Sequence, residues 1–179
     1  VEHDIRHYGV AYWHCYHQIP GVDACYVHKL WFEHTELAAR NHVAVGFLPP
    51  IGGKVFGCTS LAAEFAEYAV NKIYTLRAGV LSETPDYTAT LKEKGFLTKA
   101  GRVHRIPLAE QLYNLTDQIM YFSRSLGPDT AEHYKYWAPI LAGNLNQHPL
   151  KHLILDFFLL TQAETKSIFI QHASPTDDG

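Results

Sequence analysis

Cys25 and His28 stand two residues apart in Ala24-Cys25-Tyr26-Val27-His28. At this separation one tight turn aims a thiolate and an imidazole at a single tetrahedral Zn2+. Tetrahedral coordination demands two further ligands, and His3, His7, Cys15 and His17 are the donors nearby. Each of these four is flanked by aromatic or polar neighbours, a setting in which His and Cys serve equally well for packing and hydrogen bonding. Half of a zinc site is legible, and the other half is not.

A second cluster lies far downstream. Between Lys92 and Arg105 the chain carries Lys92, Lys94, Lys99, Arg102, His104 and Arg105 against the single acidic Glu93. The segment joins two short predicted helices through a tight connection, the geometry by which helix-turn-helix folds set a helix or its flanking loop against DNA phosphates. A solvated basic loop is the plain alternative. A third arrangement, His148-x-x-x-His152, puts two imidazoles on one helix face, and Glu33-His34 or Glu132-His133 would supply further ligands in a helical metalloenzyme. Against that reading, the chain has no Glu-x-x-His pair, and His148 precedes Pro149 at a helix start, where capping explains it equally well. No Gly-rich phosphate loop and no Gly-x-Ser-x-Gly nucleophile turn is present.

Composition narrows what can hold these groups. The 179 residues are 47% apolar and 13% aromatic, enough to bury one core or two small ones. Three unevenly spaced cysteines are too few for a disulfide framework and predict a reducing compartment. A net charge of −3 argues against indiscriminate nucleic-acid binding and confines any basic face to a local patch. No apolar run reaches the ~18–20 residues of a membrane span, and Val1-Glu2-His3-Asp4 lacks the basic region of a secretory signal, so an intracellular protein without a membrane partner is expected.

The elements follow from period and punctuation. Pro20-Gly21 fits the centre of a type II turn, and the segments beside it are expected to fold back as a short hairpin. Trp31 to Asn41 reads as a short helix, and Pro49-Pro50-Ile51-Gly52-Gly53 as a breaker. Thr59-Ser60 offers an N-cap for a helix through Leu61, Phe65, Tyr68, Ala69, Ile73 and Leu76 that stops at Gly79. Thr84-Pro85 starts a shorter helix ended by Gly95, and a turn with a few extended residues follows. Pro107 opens a helix with Leu108, Leu112, Leu115, Ile119 and Phe122 toward a core. A helix from about Thr130 meets Pro139, and the most apolar helix runs from His148-Pro149 to Leu160. Thr161 is positioned to cap one more helix, before a frayed tail.

These residues carry a resemblance. Asp4, Tyr8-Gly9, Tyr12-Trp13-His14, His17-Gln18-Ile19-Pro20-Gly21-Val22 and Cys25 with His28 resemble, in order, the zinc-binding segment of the TnsD/TniQ family, target-site selectors of heteromeric DNA transposons. Leu91-x-x-x-Gly95-Phe96-x-x-x-x-Gly101-Arg102 and His148-Pro149-x-x-His152-Leu153 are similar to patterns in that family's C-terminal helical DNA-binding region. The likeness covers roughly residues 1–37 and 84–164. Tyr26 and Lys29 stand where the family often has Pro and Gly, and Cys15 where it tends to have a basic residue. In the family a Cys-x-x-Cys pair precedes the matched segment, so the missing two ligands are expected immediately before Val1.

The resemblance implies a mainly α protein with a small zinc-knuckle or zinc-ribbon-like N-terminal module and helix-turn-helix-type DNA-binding subdomains. The expected divisions are 1–50, the second half of the zinc site; 51–126, the helix-turn-helix region; and 127–179, a C-terminal helical region. It implies no enzyme but a bacterial, nucleoid-associated DNA-binding adaptor. Structural Zn2+ held by Cys25 and His28 is expected. Lys92, Lys94, Lys99, Arg102, His104 and Arg105 are expected to face double-stranded DNA at the attachment site, and the expected partners are an AAA+ regulator and other transposase subunits. The alternatives are a protein-binding adaptor for an RNA-guided effector complex and the His-rich metalloenzyme.

Overall fold

The computed structural model describes residues 2–9, 14–33, 54–80, 86–131 and 133–170, with side chains through residue 161. The chain is mainly helical, as expected. In order it forms α1 (Glu2–Tyr8), a 3₁₀ turn (Cys15–Gln18), β1 (Ala24–Cys25), β2 (Leu30–Trp31), α2 (Ser60–Arg77), α3 (Tyr87–Glu93), α4 (Arg105–Ile119), a second 3₁₀ turn (Arg124–Leu126), α5 (Tyr134–Leu141) and α6 (Pro149–Ile170). Two compact units result, one of residues 1–73 and 118–124, the other of 74–117 and 125–179. The expected division near residue 50 and the Thr84-Pro85 helix start lie outside the described residues.

In the first unit Pro20-Gly21 makes the expected turn, with Gly21 at φ 83° and the Val22 N–H donating to the Ile19 carbonyl at 3.0 Å. The hairpin, however, is built elsewhere. The segment before Pro20 coils into the 3₁₀ turn, and the antiparallel pairs Ala24↔Trp31 and Cys25↔Leu30 close around residues 26–29 instead. Trp31 is therefore a strand residue and not a helix start; most of the helix expected up to Asn41 lies outside the described residues. Thr59 caps α2 as its type predicts, its Oγ1 accepting from the Ala62 N–H at 3.0 Å while donating to the Gln118 carbonyl at 2.8 Å. The buried face of α2 is a stripe of Ala62, Phe65, Ala66, Ala69 and Val70, whereas Leu76 is exposed. The alanines complete a face that the larger residues only outline.

In the second unit Asp86 caps α3, its Oδ1 accepting from the Ala89 N–H at 3.0 Å. Leu108, Leu112 and Leu115 of α4 are buried as their period requires, and α4 begins at Arg105, two residues before Pro107. Phe122, expected on the same helix, lies beyond its end and is exposed. α5 runs through Pro139 to Leu141 and packs on α6, burying Trp137 and Ile140. α6 is one continuous helix. Thr161, read as a cap, bonds back into it, its Oγ1 donating to the Phe157 carbonyl at 3.1 Å. Leu150, Ile154, Leu155 and Phe158 on α6 are fully or almost fully buried. Each such side chain contributes roughly 1.5–3 kcal/mol. Among the described residues no helix is long and apolar enough to cross a membrane.

Candidate functional site

Four residues connect β1 to β2. The Lys29 N–H donates to the Cys25 carbonyl at 2.8 Å, and Lys29 sits at φ 55°, the only non-glycine at positive φ among the described residues. A lysine tolerates that conformation poorly, so the turn is held by its surroundings. Holding comes from a third chain segment: the Cys58 N–H donates to the Lys29 carbonyl and the Trp31 N–H to the Phe56 carbonyl, both at 3.0 Å. Inside this turn Cys25 Sγ and His28 Nδ1 lie 3.4 Å apart, with Cys25 buried and His28 exposed. Zn–S and Zn–N bonds of ordinary length at a tetrahedral angle put S and N about 3.6 Å apart. The observed 3.4 Å is close to that value and is equally the length of a hydrogen bond between the two side chains. Burial pushes the Cys58 thiol up, and Cys25 nearby adds to it. Among the described residues no three His, Cys, Asp or Glu side chains gather closely enough to hold a metal.

The other donors are engaged differently. His3 and His7 stack on α1 with ring centroids 4.0 Å apart, and Cys15 is exposed. His14 binds the buried Asp4 carboxylate through Nε2 at 3.1 Å, and its Nδ1 pairs with the Tyr16 hydroxyl at 2.8 Å. Burial alone would raise the Asp4 carboxyl, but the bond and charge of His14 bring it below its ordinary value. His17 lies against Phe32 at 4.4 Å, and its buried Nε2 has no hydrogen-bond partner among the described residues. Burial, then the neighbouring His14, lowers its pKa to about 4.

Asp23 had no signal in the sequence. Its Oδ2 accepts from the Tyr121 N–H at 2.7 Å, the Ser123 N–H at 2.8 Å and the Ser123 hydroxyl at 2.8 Å, and Trp31 stacks on Tyr121 at 5.3 Å. These contacts fasten residues 121–123 to the β1–β2 hairpin. Their partners are about a hundred residues apart in sequence, a distance no local pattern bridges.

The basic cluster falls on a helix, a hairpin and a second helix. α3 ends in a Schellman motif: the Gly95 N–H (φ 78°) donates to the Lys92 carbonyl at 3.1 Å and the Phe96 N–H to the Leu91 carbonyl at 2.8 Å. Leu91 and Phe96 are both buried, the hydrophobic contact that accompanies such a cap. Phe96 then opens a β-hairpin, in which the expected extended residues pair across the turn. His104 N–H donates to the Phe96 carbonyl, Thr98 N–H to the Arg102 carbonyl and Gly101 N–H to the Thr98 carbonyl, at 2.8, 2.8 and 2.9 Å. Lys99, Ala100 and Gly101 form its three-residue loop, with Gly101 at φ 74° in the left-handed position. Lys92, Lys99, Arg102, His104 and Arg105 are exposed and Lys94 is half-buried. The Arg105 guanidinium lies 5.4 Å over the Tyr134 ring. Lys92, Lys99 and Arg102 meet no carboxylate among the described residues.

His148 and His152 have structural tasks. His148 Nδ1 accepts from the Leu150 N–H at 3.3 Å at the start of α6. His152 Nδ1 pairs with the Tyr87 hydroxyl and Nε2 with the Leu145 carbonyl, both at 2.9 Å. Both nitrogens of His152 are thereby committed, and it has no lone pair left for a metal. Comparison with known proteins returns no matching family model, no matching curated protein and no matching solved structure.

Proposed function

We propose that this chain is a zinc-stabilised, non-enzymatic DNA-binding protein of the TnsD/TniQ type. In this reading it marks an insertion site on double-stranded DNA and recruits an AAA+ regulator and the transposase carried on other chains. The observation that carries it is the basic module of α3, the hairpin and α4. Lys92, Lys99 and Arg102 project there without a carboxylate partner among the described residues, in a chain whose net charge is −3. Cations left unneutralised within an acidic protein suit a polyanion and a confined contact. The ordered likeness of both halves to the family supplies the biological role.

Zinc in this reading is structural. Cys25 and His28 would hold it, the 3.4 Å spacing of their ligand atoms supports the pairing, and a closed site of this kind contributes folding free energy rather than chemistry. The test is binding to the element's attachment-site duplex over a range of salt. Affinity is expected to fall steeply with salt, and Arg102→Ala and Arg105→Ala to weaken it. Binding that is absent, or indifferent to salt and to both changes, would overturn the assignment. Capture of an RNA-guided effector complex without any DNA footprint would favour the adaptor role instead.

A further inference from the structure

We propose that the Phe96–His104 hairpin is a wing that enters the minor groove of duplex DNA, with Arg102 and Lys99 as the inserted cations. This rests on the DNA-binding reading above and specifies how the contact is made. The base of the hairpin is fixed and its tip is bare. At the base Phe96 is buried and its ring lies 5.6 Å from that of Phe158 on α6, while the Leu97↔Val103 bridge joins the two arms. The arms are further tied by the Thr98 Oγ1 acceptor for the Arg102 N–H at 3.0 Å. At the tip Ala100 and Gly101 carry almost no side chain, and a Cβ built on Gly101 would meet nothing within 4 Å. The apex therefore stands clear of the described residues around it.

Dimensions choose the groove. Two paired strands lie about 4.8 Å apart, and the minor groove is about 6 Å wide against about 12 Å for the major groove. With the radii of its atoms such a ribbon is about 8 Å across, so its body stays at the mouth of the minor groove, and only the Ala100-Gly101 apex with the Lys99 and Arg102 side chains is slim enough to reach in. Cations brought into a narrow minor groove are favoured by its concentrated negative potential, most of all over A·T runs. Lys99 and Arg102 bracket the apex and meet no carboxylate among the described residues. The hairpin thus offers two charges at the end of a rigid, slim support, and the selectivity expected of it is for groove width.

The experiment compares the intact protein with Arg102→Ala and with the Lys99→Ala/Arg102→Ala double variant on three duplexes of equal length: an A·T run, the same run with I·C pairs, and a G·C run. I·C keeps the minor-groove face of A·T and the major-groove face of G·C. The expected result is similar affinity for the A·T and I·C duplexes and at least fivefold weaker binding to G·C. In the double variant that preference disappears, and the slope of log affinity against log salt becomes shallower by about 1.8. Competition by distamycin, a minor-groove ligand, accompanies the wild-type pattern. Circular dichroism of the variants is expected to match the wild type, since neither side chain is buried. If the wild type binds but I·C behaves as G·C, or if the double variant binds as the wild type does, the wing is overturned while DNA binding stands. If the wild type binds no duplex at low salt, the DNA-binding reading fails and the wing with it.

Discussion

A carboxylate that accepts three hydrogen bonds in a nearly closed site is a stronger commitment than a surface ion pair. Asp23 is 8% exposed and takes the Tyr121 and Ser123 amides together with the Ser123 hydroxyl on one oxygen. Removing the acceptor strands two backbone donors, each costing about 1–3 kcal/mol when left buried. Asp23→Ala is therefore expected to lower the urea unfolding free energy by roughly 3 kcal/mol and Ser123→Ala by about 1, because the latter leaves both amide bonds in place. Equal effects of the two changes would show that the amides are not the main contact. His17 carries the opposite liability. Its folded pKa of about 4 lies below the ordinary 6.5, so below pH 6.5 the unfolded chain binds the extra proton and folding loses ground. The neutral-His17 contribution is complete above pH 6.5 and is lost as pH falls toward 4. Its size is roughly 2 kcal/mol once partial exposure is allowed for. Asp4, His14 and His28 act on the same ring, so the comparison that isolates it is wild type against His17→Gln at pH 7 and pH 5. The variant is expected to show a smaller stability difference between the two pH values.

At the scale of elements, what was legible in the sequence is whatever a local signal fixes. The Thr59 cap, the Pro20-Gly21 turn and the Leu108, Leu112, Leu115 period each specify a short-range geometry, and each is found. The Leu91-x-x-x-Gly95-Phe96 pattern is also local, for it spells the Schellman cap and its hydrophobic closure. The hairpin partners differ from those the Pro20-Gly21 turn predicts because pairing around residues 26–29 is selected by a third segment, residues 56–58, which no pattern near Pro20 announces. The Thr161 hydroxyl suits a cap by type, yet bonded to the Phe157 carbonyl it lets the helix continue. The αL positions give a paired prediction. Gly95→Ala puts a Cβ at φ 78° and is expected to cost about 1 kcal/mol. Lys29→Gly relieves the lysine at φ 55° and is expected to gain up to about 1 kcal/mol by thermal melting. A loss of stability in Lys29→Gly would mean that contacts of the lysine side chain outweigh its backbone strain.

For the molecule as a whole, the proposed zinc makes the two compact units differ in what stabilises them. The second contains Trp137, Leu108, Leu112, Ile154 and Phe158, all 2% exposed or less, and this apolar burial sustains it. Among its described residues the first has most of α2, with Phe65 and Ala69 fully buried, and a hairpin of two-residue strands. A unit of that kind is where a structural metal has most effect, since the binding free energy enters folding directly. The proposed zinc therefore predicts an unequal response to chelation. With excess EDTA the lower-melting transition is expected to move down by many degrees, while the transition of the second unit shifts little. His28→Ala and Cys25→Ser are each expected to lower bound zinc below one equivalent and to make the melt indifferent to EDTA. Differential scanning calorimetry with zinc quantified by atomic emission separates the outcomes. A melt unchanged by EDTA in the wild type would mean that Cys25 and His28 are held at 3.4 Å by their own hydrogen bond and the three-segment turn alone, with no metal contribution.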